Sequence, residues 1–426
     1  MTALTNGRLL VHLDFGAGAA PILLGECLWY GAQQVVAFEW SQQALELPFK
    51  LSLLHMPIKK GVILAKRDPF SGLHGIFSDS IPDGFGLRVM NNAFKQAGHS
   101  LGSVTPIHRL AWVGARGIGA LTYAPAMDPA EPRQLMEIAS LGQHASKAEV
   151  NNFADIPEAA IKAGGSAHGA RAKFWASVHK DGTQLILGDH LAAAKDFTAC
   201  LVKFPLASEK NEPYFEAACL QLANSHGVRA AKARLLTHPA GAALAVERFD
   251  RSAGAGRLLV QSLAALLNDD FRFPKLDYSH IYQVSAHLSE VPEAERIYRQ
   301  ACFNVALSMK DDHSKNFAFL MNVDGQWELS PAFDLCPSEG PSGWHTMSVS
   351  NTADRIGRDH LKNFANRIGL ADAVANDGID QARAAASAFA SLAISLGAQK
   401  SATKKWEKTF KEIDGRLAAA MISVIP

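Results

Sequence analysis

The chain is short of cysteine, of net charge and of long apolar runs, and each shortage excludes a class of protein. Its 426 residues include five cysteines: Cys27, Cys200, Cys219, Cys302 and Cys336. No two form a CxxC pair, and the number is odd in a long chain, so neither a zinc ribbon nor a disulfide framework is expected. Reduced thiols in a cytoplasmic protein are the simpler reading. Lys plus Arg total 42 and Asp plus Glu 41, for a formal net charge of +1. A chain built mainly to coat nucleic acid needs a clear basic excess. The lysines Lys404, Lys405, Lys408 and Lys411 near the C-terminus read as a solvated helix face. No apolar run reaches the roughly 18–20 residues of a bilayer span. The first residues, MTALTNGRLLVHLDFG, lack the basic-then-apolar order of a signal peptide, so no membrane association is expected.

What is present suits a globular protein of about two to three domains. Hydrophobic residues make up 48% and charged residues 19%, enough apolar material for a core and too little charge for a disordered chain. The beginning is β-rich: RLLVHLDF, PILLGECLWY and VVAFEW are short β-branched and aromatic runs between glycine-containing turns. A helical pattern follows Asp79, with Leu87, Met90 and Phe94 at helical spacing, and then WVGARGIGALTYAP reads as a glycine turn and a strand. Two prolines among charges between Met127 and Arg133 suggest a boundary.

The next part opens with a helical segment from Leu135 to His144 and a small-residue loop, AGGSAHGARAK. FWASV and QLILG flank Asp181-Gly182, which predicts a hairpin with a type I′ turn. ACLVKF predicts a strand, EPYFEAACLQLANSHGV a helix stopped by Gly227, and ARLLTH and ALAVERF two strands around Pro239–Gly241. The remainder is mostly helical, with Ile297, Ala301, Val305 and Met309 marking one helix face, and FAFLM and QWEL forming a hairpin around Asp324-Gly325.

The strongest chemical signal is Asp311-Asp312-His313-Ser314-Lys315-Asn316 with Asp334 beyond the hairpin. Phosphoryl transfer needs a carboxylate for the acceptor hydroxyl, and a neutral oxygen and a second carboxylate for Mg²⁺. Protein kinases place base and Asn five positions apart, and the metal-binding Asp after a short hairpin, next to a Phe. Asp311 and Asn316 have that spacing, and Phe333 precedes Asp334, which lies eighteen residues after Asn316. The same spacing selects Asp311 over Asp312 as base. His313, lacking a partner at ligand spacing, reads as a loop-holding residue rather than a metal ligand.

Three further sets follow. Lys203 lies in the apolar strand Cys200–Phe204, where a lysine is costly unless paired or gripping phosphate, and Glu216, thirteen residues on, is a possible partner. Gly164, Gly165, Ser166 and Gly169 form a small-residue loop whose backbone N–H groups could approach phosphate. Val246-Glu247-Arg248-Phe249-Asp250-Arg251 is a strand running into a loop, where a kinase hinge would receive adenine.

The combination VKFP, VERFDR, DxHxxN and SPAFDL, with FSDSIPDGFGLRVM and WVGARGIGALTY earlier in the chain, resembles the HipA family of toxin kinases from about Arg8 to about residue 400. The resemblance implies an α+β, two-lobed protein-kinase-like fold. Its β-rich N-terminal subdomain would span 1–130, an N-lobe-like region 131–255 and a helical C-lobe 256–426. It implies a serine/threonine-protein kinase using ATP and Mg²⁺. Asp311 would be the base, Asn316 and Asp334 the metal ligands, and Lys203 the phosphate-binding lysine. Glu247 and Phe249 would contact adenine through their backbones, and Asp250 would lie near the ribose. Gly165, Gly169, Glu216 and His313 would belong to the nucleotide site, and Ser166 would match the serine that family members autophosphorylate. The partners implied are a small helix-turn-helix antitoxin (HipB-like), operator DNA through that antitoxin, and a protein substrate such as an aminoacyl-tRNA synthetase. A nucleotide-binding co-repressor without catalysis and a small-molecule kinase are the alternatives.

Overall fold

The computed structural model describes residues 7–418 except 53–54, 128–133, 154–155, 189–194, 239–240, 253–255, 290, 292 and 341. The boundaries expected near 130 and 255, and the turn at Pro239, fall outside the described residues. The architecture is α+β and consists of two bodies. One comprises Met1–Lys210, Arg234–Asp270 and Phe319–Trp327; the other comprises Asn211–Ala233, Phe271–Ala318 and Glu328–Pro426.

The first body holds two sheets. Strands β1 (Arg8–Leu13), β2 (Ile22–Tyr30), β3 (Val35–Trp40), β4 (Val62–Leu64) and β5 (Leu121–Ala124) pair in the order β4-β3-β2-β1-β5. Alternation explains β1: Leu9, Val11 and Leu13 are fully buried while Leu10 points to the opposite, open face. Where the β1–β2 register shifts after Val11, its partner is Gly25, at φ +158°, and any Cβ there would overlap the Glu39 carbonyl. Helix α1 (Gly84–Gln96) buries Phe85, Val89, Met90 and Phe94; Leu87, expected on that face, is only partly covered. Trp112 and Val113 do not open a turn. They end helix α2 (Pro106–Val113), which Thr105 caps and Pro106 begins, and only the later Leu121–Ala124 is strand.

The second sheet of this body contains β6 (Gln134–Glu137), β7 (Lys173–His179), β8 (Gln184–Leu187), β9 (Phe197–Lys203), β10 (Ala233–His238) and β11 (Gly241–Glu247), in the order β10-β11-β9-β7-β8-β6. The helix expected from Leu135 starts later, as α3 (Ile138–Glu149), because Gln134–Glu137 pairs with β8. Leu135 is 59% exposed. The Asp181-Gly182 turn is not type I′. That type needs positive φ at both central residues, and only Gly182 has it, at +78°. Gly182 N donates to the His179 carbonyl and Thr183 N to Asp181 Oδ1. One face of the sheet buries Phe174, Ala176, Val178, Cys200, Val202, Ala243 and Ala245 in a core shared with α3 and α4 (Glu158–Gly164). By alternation, Lys173, Trp175, Ser177, Leu201 and Lys203 occupy the opposite face.

The second body is helical: α5 (Glu212–Ser225), α6 (Tyr278–Leu288), α7 (Ala294–Ala306), α8 (Arg358–Arg367), α9 (Asp372–Leu396) and α10 (Lys400–Ala418). Gly227, at φ +78°, follows the end of α5 as expected. Aromatic pairs mark its core: Phe215–Phe389 and Phe389–Phe410 centroids are 5.5 and 5.3 Å apart, and Phe364 meets Tyr278 and Tyr298 at 6.3 and 6.0 Å. Ile297, Ala301 and Val305 face inward from α7, but the helix stops before Met309, beyond the left-handed Ser308. Among the described residues no helix is long and apolar enough to cross a membrane.

Candidate active site

The expected site residues divide between the bodies. In the second body, the adjacent carboxylates Asp311 and Asp312 have opposite environments. Asp312 is 3% exposed. Its Oδ2 accepts from Tyr278 Oη at 2.8 Å and lies 2.9 Å from His345 Nδ1; its Oδ1 accepts from Thr346 N and Met347 N at 2.8 and 3.3 Å. Asn304 Nδ2 donates to the same tyrosine oxygen at 2.8 Å. This network takes up the acceptor capacity of Asp312 and pins the loop. The Asp311 side chain is 60% exposed. Asn316, in a short 3₁₀ turn (Ser314–Asn316), donates through Nδ2 to the Asp311 carbonyl at 2.8 Å, closing the loop across the five-residue spacing. The Asn316 Oδ1 is thereby left as a potential metal-ligating oxygen.

The His313 ring centroid lies 5.1 Å from that of Phe271, its Nε2 is 3.9 Å from Asp311 Oδ1, and its Nδ1 is buried without a hydrogen-bond partner among the described residues. Lys315 covers the same Phe271 ring at 4.8 Å. Asp334 is exposed and holds φ +56°, a left-handed conformation that costs energy for a non-glycine residue and often marks functional sites. The chain before it is fixed by Ala332 N to the Arg229 carbonyl and Ala231 N to the Ala332 carbonyl, both at 2.8 Å. Glu216 is 5% exposed inside α5, not a surface glutamate.

In the first body, Lys203 lies on β9, an interior strand between β11 and β7, so it does not snorkel from an edge. Directly across from it is Lys173, 6% exposed. Both lysines lie on the sheet face opposite the apolar core. Lys173, expected at the end of the small-residue loop, is instead the first residue of β7, and the apolar run Phe174–Val178 after it is the same signal that marks Lys203. Gly165, Ser166 and Gly169 do form a loop preceding β7. Ser166 is 1% exposed, with Oγ 3.4 Å from the Lys162 carbonyl. Glu247 and Phe249 are half-buried where β11 ends, and Arg248 stacks on the Trp175 ring at 4.1 Å.

Asp250 is expected near a ribose, and the structure places it in a buried ion-pair cluster. It is 2% exposed, accepts from Arg248 Nε at 2.9 Å, and receives Arg248 Nη2, Arg251 Nη1 and Gly119 N, each at 2.7 Å. Burial pushes its carboxyl up, but the two guanidiniums and the Gly119 N–H outweigh burial and hold it below the usual carboxylate range. A carboxylate so enclosed ties Arg248, Arg251 and the Gly119 backbone together.

A family model for the HipA-like C-terminal domain matches residues 165–389, and one for the HipA N-terminal domain matches residues 23–124. Among solved structures, a chain in the complex of the toxin–antitoxin system HipA, HipB and operator DNA from Shewanella oneidensis MR-1 is similar, with a TM-score of 0.68 at 18% identity over 97% of this chain and 100% of that one. The Helicobacter pylori proinflammatory kinase CtkA shows a TM-score of 0.39 at 12% identity over 52% of this chain and 85% of its own. With both domain models in their order along the chain and the fold shared over nearly its whole length, the chain belongs to the HipA family.

Proposed function

We propose that this chain is the toxin of a toxin–antitoxin pair and acts as an ATP- and Mg²⁺-dependent serine/threonine-protein kinase. The observation that carries the proposal is the division of labour at Asp311 and Asp312. A buried, hydrogen-bonded carboxylate anchors the loop, and its neighbour is exposed in a loop that the asparagine five residues on closes through the Asp311 carbonyl. Asp311 accepts the proton of the attacking hydroxyl, and Lys203 with Lys173 binds the phosphates of ATP. The donor set suits magnesium: Asn316 and Asp334 offer hard oxygens, and the ion, when bound, supplies charge neutralisation at the phosphate oxygens. Among the described residues no three His, Cys, Asp or Glu side chains form a ready-made metal cage. Magnesium held by one carboxylate, an amide oxygen and the phosphates does not need one.

The relative from Shewanella is found with HipB and operator DNA. By that likeness the partner here is a small helix-turn-helix antitoxin, with operator DNA reached through it, and the near-zero net charge of this chain is consistent with indirect contact. The substrate is a protein hydroxyl, with an aminoacyl-tRNA synthetase as the class to test first.

The test is transfer of labelled phosphate from Mg²⁺-ATP to the purified chain, comparing wild type with Asp311→Ala. Wild type is expected to label, and Asp311→Ala to lose about 10²–10⁴-fold in rate while still binding nucleotide. Equal labelling of both would overturn the assignment of the base. Nucleotide binding with no transfer to the chain or to candidate substrates would favour a co-repressor.

A further inference from the structure

The loop at 165–172 is seated on one short segment of the same body, residues 79–86, through bonds that the reaction itself does not explain. Gly169 is held from both sides: its N–H donates to Asp83 Oδ1 at 2.5 Å, and its carbonyl accepts from Phe85 N at 2.8 Å. His168 Nε2 lies 2.6 Å from the Asp79 carbonyl, and its Nδ1 is 3.9 Å from Asp83 Oδ2. The seat is anchored in turn, because the buried Asp79 carboxylate accepts from Ser262 N and Oγ at 2.6 and 2.8 Å. Its glycines are required by contact. A Cβ on Gly86 would run into the Ala167 carbonyl, and one on Gly84 would lie 2.5 Å from the Gly169 carbonyl. Asp83 immediately precedes α1, yet its carboxylate makes no capping bond to that helix. Gly169, at φ +104°, leaves room for the Lys173 amine beside it.

We propose that Asp83 is a positioning residue for nucleotide. With His168, it clasps the loop in the arrangement seen here, which keeps Ser166 enclosed and sets Gly169 against Lys173. The proposal rests on the reading of this loop as the one that covers phosphate. A charge-assisted hydrogen bond to a backbone N–H is strong enough that its loss should populate the open loop about tenfold more.

The first test follows the loop without catalysis. Ser166→Cys is introduced in the full chain, and modification at position 166 by a thiol reagent is timed by mass spectrometry. Adding Asp83→Ala should speed that modification about tenfold, whereas Asp83→Asn, which keeps an oxygen acceptor for Gly169 N, should leave it near the parent rate. The buried Cys27 and Cys219 report unfolding. If they react as well in Asp83→Ala, His168→Ala serves as the second opening variant. Unchanged modification in an opening variant that stays folded overturns the clasp. The second test, with native Ser166, measures ATP kinetics: Asp83→Ala should raise KM by less than the roughly tenfold change in modification, with kcat little changed. Faster modification with no phosphate transfer in any chain would keep the clasp and remove the kinase reading. Normal transfer with unaltered KM and unaltered modification would do the reverse.

Discussion

At the scale of single residues, two adjacent aspartates illustrate how little side-chain type alone decides. Asp312→Ala would strand the Tyr278 hydroxyl, His345 and the N–H groups of Thr346 and Met347 without their acceptor. The expected cost is roughly 3 kcal/mol or more, read as a lower urea midpoint. Asp311→Ala removes an exposed side chain and should change stability by no more than about 0.5 kcal/mol. If the two variants melted alike, the anchor role of Asp312 would be wrong. Asp250 makes a pH prediction. Its folded pKa lies below the unfolded value of about 3.9, so its ion-pair contribution is complete above that value and is lost as pH falls below it. Asp250→Asn should be less stable at pH 7, and its urea midpoint should fall less steeply than wild type's between pH 5 and 3. The five-residue spacing made Asp311 and Asn316 legible in the sequence. The burial that separates Asp311 from Asp312, and that turns Asp250 inward, depends on what distant segments place around them.

At the scale of elements, periodicity recovered most strands and helices, and failed where pairing overrode a local pattern. Leu135 suited a helix until β8 was available as a strand partner. The Asp-Gly signal located a turn correctly but not its type, because its geometry is set by the His179 carbonyl and the flanking strands. Lys203 could be recognised as a lysine in an apolar strand, but not as a residue of an interior strand, since strand order is invisible along the chain. The cross-strand pair it forms with Lys173 yields a prediction. Lys173→Met and Lys203→Met should each weaken ATP binding about tenfold or more, measured by calorimetry, because each removes one cation from the same face. Retention of full affinity in Lys173→Met would limit the phosphate site to Lys203.

At the scale of the whole molecule, the amino-acid sequence by itself determined the α+β class, the family, and the short motifs in which base, metal ligands and phosphate lysine would be sought. These rest on local information: alternation, spacing and turn chemistry act within a few residues. Tertiary structure alone decided which of two carboxylates is an anchor, that Asp250 is enclosed by two arginines, that Lys173 faces Lys203, and that Asp83 holds Gly169 from 86 residues away. Asp312 and Gly169 find partners 34 and 86 residues away, Asp250 adds the Gly119 N–H from 131 residues away to its neighbours Arg248 and Arg251, and burial is a property of the assembled core rather than of any segment.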